Sequence, residues 1–257
     1  MNYSLMWLPQ VLRDAGLEVL EHAGWQTRGH GDMGTVQGVL CHHTCGPIHG
    51  DLPDVDVLVD GRPDLGGPLC NLGLGRSGKF YMIAAGKGWH AGAGNWLGVK
   101  DGNSHLIGIE AENTGESTGP RADVWPDVQM DAYKRGCAAI LRHVGAQPAM
   151  VAGHKEYALP HGRKDDPNFD MGAFRADVAK IMGAAAVASA PAKATRTGTV
   201  NVDGLNVRSN ASGTSTIVAV LMSGAPVVVS ASITNGATEW LRIAEGYVAA
   251  RYVDLRG

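Results

Sequence analysis

The chain reads as an α/β protein followed by a small all-β unit, and three observations carry that reading. Over the first 182 residues, short apolar runs alternate with stretches of helical periodicity. Gly183 to Gly198 (GAAAVASAPAKATRTG) then has the small-residue composition of a linker, with no large apolar anchor. Beyond it, residues 199–257 hold short strand-like runs separated by Gly, Asn and Ser turns, as in a small barrel or roll. The expected organisation is one domain over 1–182, a flexible linker over 183–198 and an all-β unit over 199–257.

The elements follow in order. Ser4 to Ala15 predicts an amphipathic helix with Leu5, Leu8 and Leu12 on one stripe. Val36 to Cys41 predicts a short buried strand. Lys79 to Ala85 predicts another, reached through the turn Arg76-Ser77-Gly78. His105 to Glu112 (HLIGIEAE) reads as a strand that places Glu110 and Glu112 on one face. Asp127 to Val144 predicts a helix, because Met130, Tyr133, Cys137, Ile140, Leu141 and Val144 recur at helical spacing. Phe169 to Met182 predicts a last amphipathic helix. In the tail, strands are expected at Gly204–Arg208, Ile217–Leu221, Pro226–Val229, Glu239–Ile243 and Tyr247–Val253.

Composition excludes several classes of function. With 44% hydrophobic residues and a mean hydropathy of −0.07, the 257-residue chain can bury a core. Its net charge of −3 and lack of a basic cluster give no electrostatic case for nucleic acid. Lys193 and Arg196 make the linker cationic, and four arginines balance four acids beyond it. The net negative charge therefore falls on the first domain. No apolar run is long enough for a membrane span. Met1 to Trp7 has no basic stretch followed by an apolar one, so no secretory signal is expected and synthesis is expected to be cytoplasmic. Cys41, Cys45, Cys70 and Cys137 form no C-x-x-C pair and are expected to be free thiols.

Chemistry concentrates in two stretches about a hundred residues apart. In Cys41-His42-His43-Thr44, an apolar run ends in adjacent histidines. In Gly153-His154 through Arg163-Lys164-Asp165-Asp166-Pro167, a histidine precedes a lysine by ten residues and an aspartate by twelve. Two imidazoles and a carboxylate suit a catalytic zinc site whose fourth position is left to water. On a strand, His42 and His43 point to opposite faces, so one of them can face a metal. A thiol of Cys41 or Cys45 is the alternative to Asp166. Lys164, two residues before Asp166, projects to the same side of an extended segment, where its ammonium could stabilise an oxyanion or simply be solvated. The tail has no His or Cys and only scattered acids.

Four stretches in this order resemble the zinc-dependent N-acetylmuramoyl-L-alanine amidase family. They are Gly38 to Thr44, Trp89-His90-Ala91-Gly92, Ile107-Gly108-Ile109-Glu110, and Gly153-His154 through Pro167. That family includes phage lysozyme-type amidases, bacterial cell-wall recycling amidases and animal peptidoglycan recognition proteins. The tail, with Leu205-Asn206-Val207-Arg208-Ser209 early and Tyr247 to Val253 late, is similar to bacterial SH3-like wall-binding domains. The whole resembles a phage endolysin.

The resemblance implies a mixed central sheet flanked by helices plus an SH3-like barrel. It implies a zinc ion (Zn2+) held by His42, His154 and Asp166, favouring His42 over His43. Glu110 would shuttle a proton, with Glu112 as its rival, and Lys164 would steady the oxyanion. His90 would line the cleft and contact the muramyl-peptide or play a purely structural role, and Trp89 and Trp96 would each pack on sugar or in the core. Arg163 and Asp165 would stand beside the site or on the surface, and His30, His49 and His161 would be ordinary surface or turn histidines. The implied activity is cleavage of the bond between N-acetylmuramic acid and L-alanine of peptidoglycan, by a monomer that neither binds nucleic acid nor inserts in membranes. It would act on the wall after release through a holin-made lesion. The alternatives are a non-catalytic recognition protein, a recycling amidase, and a zinc peptidase cutting within the stem peptide. One departure stands out. Where many relatives carry a Tyr-His pair, this chain has Cys70-Asn71, which moves the weight of proton transfer to Glu110.

Overall fold

Leu5, Leu8 and Leu12 share a buried stripe, as their spacing predicts, but two elements carry them. A 3₁₀ turn over Ser4–Trp7 runs into helix α1 (Leu8–Asp14). Pro9 sits in the first turn of α1, where a missing N–H leaves no bond unmade. This computed structural model describes residues 2–188, 196–208, 211–229, 231–235, 238–243 and 245–256. It divides into two units, Met1–Val187 and Ala188–Gly257.

In the first unit, strand β1 (Val19–Glu21) is followed by β2 (Gly38–His43) and helix α2 (Val55–Asp60). Next come a small hairpin, β3 (Gly61–Arg62) and β4 (Leu65–Gly66), and strands β5 (Leu72–Leu74) and β6 (Phe80–Met82). The short helix α3 (Gly102–His105) leads into β7 (Leu106–Ala111), and then come α4 (Asp127–Val144) and β8 (Val151–Gly153). Helices α5 (His154–Tyr157) and α6 (Met171–Ala188) complete the unit.

Six strands form one mixed sheet in the order β1-β6-β5-β7-β2-β8. Only the β5–β6 pair is antiparallel; the other four pairs are parallel. Every residue of β2 is buried, as expected of a parallel strand covered on both faces. Val39, Cys41, Ile107 and Ile109 face the larger core, together with Leu8, Leu12, Phe80, Tyr133 and Ile140. Leu40 and Leu106 face the other side, with Ala91, Ala152 and Tyr157. By alternation His42 and Glu110 also face that second side.

Among the described residues the second unit has eight strands: β9 (Arg196–Val200), β10 (Leu205–Arg208), β11 (Ile217–Leu221), β12 (Pro226–Val229), β13 (Ala231–Asn235), β14 (Thr238–Ile243), β15 (Gly246–Ala249) and β16 (Val253–Arg256). They form two antiparallel sheets, β11-β10-β15-β14-β13 and β12-β9-β16. Their core holds Val200, Leu205, Val207, Val227, Leu241, Ile243 and Val253.

Several expectations need correction. The strand predicted over Lys79–Ala85 is only Phe80–Met82, and its neighbour β5, the three residues Leu-Gly-Leu, carries too little alternation to be foreseen. The last helix does not stop at Met182 but runs to Ala188, because the first small residues of the expected linker are mostly alanines, the best helix formers. The rest of that linker, 189–195, lies outside the described residues. Arg196–Val200 belongs to β9. The predicted strand Tyr247–Val253 is broken by a 3₁₀ turn at Ala250–Tyr252. Cys41, Cys45, Cys70 and Cys137 are free, and among the described residues no helix is long and apolar enough to cross a membrane.

Asn71 ties the sheet together beside the future site. Its buried amide donates to Gly86 O at 2.8 Å and accepts from the Gly108 N–H of β7 at 3.0 Å. Asn71→Ala leaves both backbone groups unpaired in a dry interior. Urea titration should show a loss of about 1–3 kcal/mol at an unchanged slope.

Candidate active site

Three strand ends assemble the site. β2 pairs with β7 so that His42 lies opposite Glu110, and with β8 so that Cys41 lies opposite Gly153. His154 is therefore the first residue beyond β8, opening α5. Asp166 arrives on a later loop, and its carbonyl accepts the Lys155 N–H at 2.6 Å, which pins that loop to α5.

His42 Nδ1 and His154 Nδ1 stand 3.0 Å apart, and Asp166 Oδ2 lies 3.0 Å from the first and 3.1 Å from the second. All three side chains are buried. They are the one group among the described residues able to hold a metal ion. The far nitrogens fix the rings. His154 Nε2 donates to Ala91 O at 3.0 Å, which leaves Nδ1 a lone pair facing the Asp166 carboxylate. Two acceptors at that distance need a cation between them, a proton or a metal ion. Ligand atoms around a tetrahedral zinc stand ~3.3 Å apart for bonds near 2.0–2.1 Å, so the donor set fits the ion.

Electrostatics separate the carboxylates. Burial pushes Asp166 up, but the imidazoles of His154 and His42 against its carboxylate outweigh it and hold the group below the usual range. Burial, then the Asp166 charge, pushes Glu110 well up against the pull of Lys164. Glu110 Oε1 is 3.9 Å from His42 Nδ1, Oε2 has no hydrogen-bond partner, and the side chain is 16% exposed. Burial and the neighbouring His154 lower His42 to about 4. His90 is driven well down, by burial first and then by His42 and His154.

His90 reaches His42 from the side, Nδ1 to Nε2 at 3.1 Å. Its turn is held by Asn103 Oδ1, which accepts from the backbone N–H of His90 and Ala91 at 3.0 and 2.8 Å. The imidazole lies on Gly108, where a Cβ would stand 2.6 Å from its Cγ. Trp89 is 37% exposed and stacks on His30 at 4.5 Å and 17°. Around this floor opens a cleft of about 500 Å³, rimmed by Arg62, Leu65, Trp89, Arg163, Lys164 and Asp165. Arg163 is tethered to the carbonyls of Leu159 and Ala93 at 2.9 and 2.6 Å.

Other candidates fall outside the cluster. His43 lies against Gly115 and 6.5 Å from Trp125. Cys41 is in the larger core and Cys45 is on the cleft rim, so neither thiol joins the group. Trp96 is tied to Ala149 O at 2.9 Å under the Arg175 guanidinium, away from the cleft lining. His49 and His161 are exposed, whereas His30, expected to be an ordinary surface histidine, braces Trp89. Glu112 shares the face of Glu110, but Thr44 Oγ1 donates to it at 3.0 Å and Arg76 lies 3.7 Å away. It does not line the cleft.

Tyr133 is the residue that sequence reasoning underrated. Counted as one of an apolar stripe, it instead sends its hydroxyl between two strands. It accepts from the His42 N–H at 3.0 Å and donates to Ile109 O at 3.0 Å. A lone hydroxyl within an aliphatic stripe was the available signal.

Two outcomes follow from this arrangement. Tyr133→Phe leaves the buried His42 N–H unpartnered, and denaturant titration should show a loss of about 1–3 kcal/mol. Burial pushes Glu112 up to about 7 from its ordinary 4.5, against Thr44 and Arg76. The folded state thus favours the neutral form, a contribution complete below pH 4.5 and lost as pH rises to 7. Glu112→Gln should gain about 2–3 kcal/mol relative to the wild type across that interval and stay level above it. Unfolding curves at a series of pH values measure this directly.

Residues 32–169 match the N-acetylmuramoyl-L-alanine amidase family, and residues 203–254 match the bacterial SH3 domain. No curated protein matches. Among solved structures, the chain is similar to the amidase AmiD from E. coli, at 19% identity and a TM-score of 0.44, covering 62% of this chain and 65% of that one. A mutant endolysin from Bacillus subtilis aligns at 20% identity and a TM-score of 0.46, covering 63% and 99%. The endolysin amidase LysCS from Clostridium intestinale aligns at 15% and 0.43, covering 63% and 95%. The amidase match takes in more than half of the chain and spans every residue of the cluster and its cleft, and the chain belongs to the N-acetylmuramoyl-L-alanine amidase family.

Proposed function

We propose that this protein is a zinc-dependent peptidoglycan hydrolase of endolysin type, cutting the amide bond between N-acetylmuramic acid and L-alanine. The observation that carries the reading is the buried triangle of His42 Nδ1, His154 Nδ1 and Asp166 Oδ2 on the floor of an open cleft, in a chain of this family. Zinc held by those three side chains would supply a Lewis acid for a water molecule and for the scissile carbonyl.

The chain's own residues do the rest. Glu110, a carboxyl with raised proton affinity beside His42, takes a proton from the attacking water and returns it to the leaving amine of L-alanine. The Lys164 ammonium on the cleft rim steadies the negative charge that develops on the carbonyl oxygen. Trp89, braced by His30, offers a fixed face to the muramyl-peptide, and His90 holds His42 in place from the cleft side. The SH3-like unit keeps the enzyme on the wall and raises the local substrate concentration.

The test is digestion of purified peptidoglycan with chelator, then with added zinc, and mass spectrometry of the new ends. The expected product is an intact stem peptide with a free L-alanine amine, formed only with metal. Cleavage inside the stem peptide, or none with any metal, overturns the reading. Glu110→Gln should bind zinc as the wild type does yet lose about 10²- to 10⁴-fold in kcat. Lys164→Ala should lose about tenfold or more in kcat with a smaller change in KM.

A further inference from the structure

The second unit contains a cavity of its own, about 580 Å³, larger than the cleft of the first. Its lining mixes residues of the core edge, Val202, Leu205 and Tyr252, with residues that alternate with core positions on the strands. On β10, Asn206 and Arg208 alternate with the core residues Leu205 and Val207. On β14, Trp240 alternates with the core residues Leu241 and Ile243 and pairs in register with Ala249. Trp240 is therefore a large aromatic residue outside the core, yet only 6% exposed, and it lines the cavity.

Two guanidinium groups border the same space. Arg251 lies 4.8 Å above the Tyr252 ring, a cation–π contact that holds it at the rim. Arg208 Nη1 donates to Ser215 O at 2.6 Å, which uses one of its five N–H donors. No aspartate or glutamate is among the described residues lining the cavity. Two arginines and an aromatic ring around a space whose described lining carries no acid match the paired oxygens of a carboxylate joined to a small organic body. The volume is that of a site for a small ligand, enough for a few amino-acid residues rather than a glycan strand.

We infer that this cavity binds a short peptide bearing a free carboxylate, and that in the wall its ligand is the carboxylate-bearing stem peptide of peptidoglycan. The choice of ligand rests on the wall-binding role proposed above; the cavity's chemistry does not. Binding here would place the enzyme by the same peptides whose attachment it cuts, independently of the metal site.

The experiment sediments the full-length protein with purified insoluble wall, in the presence of chelator so that nothing is cleaved. A parallel sample uses the same wall with its carboxylates converted to amides. Amidation should weaken wild-type binding about tenfold or more. Arg251→Gln, at an exposed position, and Arg208→Gln should each weaken binding to native wall comparably and respond less to amidation. Lys180→Gln removes an equal charge from an exposed site on α6 and should bind as the wild type does. Equal binding of wild type and both arginine variants to both walls overturns the cavity assignment and leaves wall binding standing. A wild type that sediments with neither wall overturns the wall-binding role and this inference together.

Discussion

The cluster of His42, His154 and Asp166 exists because β2 is held in one register between β7 and β8. Side chains on a strand alternate between faces, so a slip of one residue would turn His42 into the core and bring His43 to the cleft. Opposing packing prevents that slip. Val39 and Cys41 fill the larger core, while Leu40 fills the smaller one. Gly38 admits no side chain, since a Cβ would stand 2.2 Å from Met150 O. The Tyr133 hydroxyl then clamps the His42 N–H to Ile109 O across the two strands, at the step where the His42 side chain reaches the cleft. Register also places Glu110 opposite His42 and His154 just past β8. One pairing thus determines three site positions.

Neutral groups hold the charged ones. Asn71 stitches β7 to the segment ahead of Trp89, Asn103 holds the His90 turn, and Ala91 O selects the His154 tautomer. None of these needs a counter-charge. Burial without a partner raises Glu110, whereas burial with two imidazole partners leaves Asp166 ionised. Two carboxyl groups close in space thereby differ in proton affinity, Glu110 upward and Asp166 downward.

The sequence made the long periodic elements readable, and with them the fold class. α4 and β7 each carry enough repeats for 3.6- or 2-residue spacing to show. The three residues of β5 do not, and β9 lies partly inside a stretch whose small-residue composition reads as linker. The site residues are legible as types, because two histidines and an aspartate stand in short distinctive runs. Their partners are not. Thr44 reaches Glu112 across 68 positions and Tyr133 reaches His42 across 91, and no local spacing encodes contacts that only the closed sheet creates. The same gap hid the brace that His30 gives Trp89.

The Cys70-Asn71 departure is absorbed by the fold. Asn71 faces inward and is consumed by backbone bonds to Gly86 and Gly108. Cys70 is fully buried with Leu52, Leu58 and Ile83, its thiol pushed well up by burial and by nearby Glu110. Neither offers the cleft a proton at neutral pH. Nor does a tyrosine elsewhere take the vacant role. The Tyr81 hydroxyl donates to Asp51, that of Tyr133 is locked between strands, and that of Tyr157 donates to Lys100 O. Among the described residues lining the cleft there is no phenol at all. Within reach of His42 the cleft offers one carboxyl not already paired, that of Glu110, and its buried Oε2 has no hydrogen bond to give up before it takes a proton. The missing aromatic hydroxyl and the unpartnered glutamate are two sides of one arrangement, which leaves Glu110 the free carboxyl beside His42.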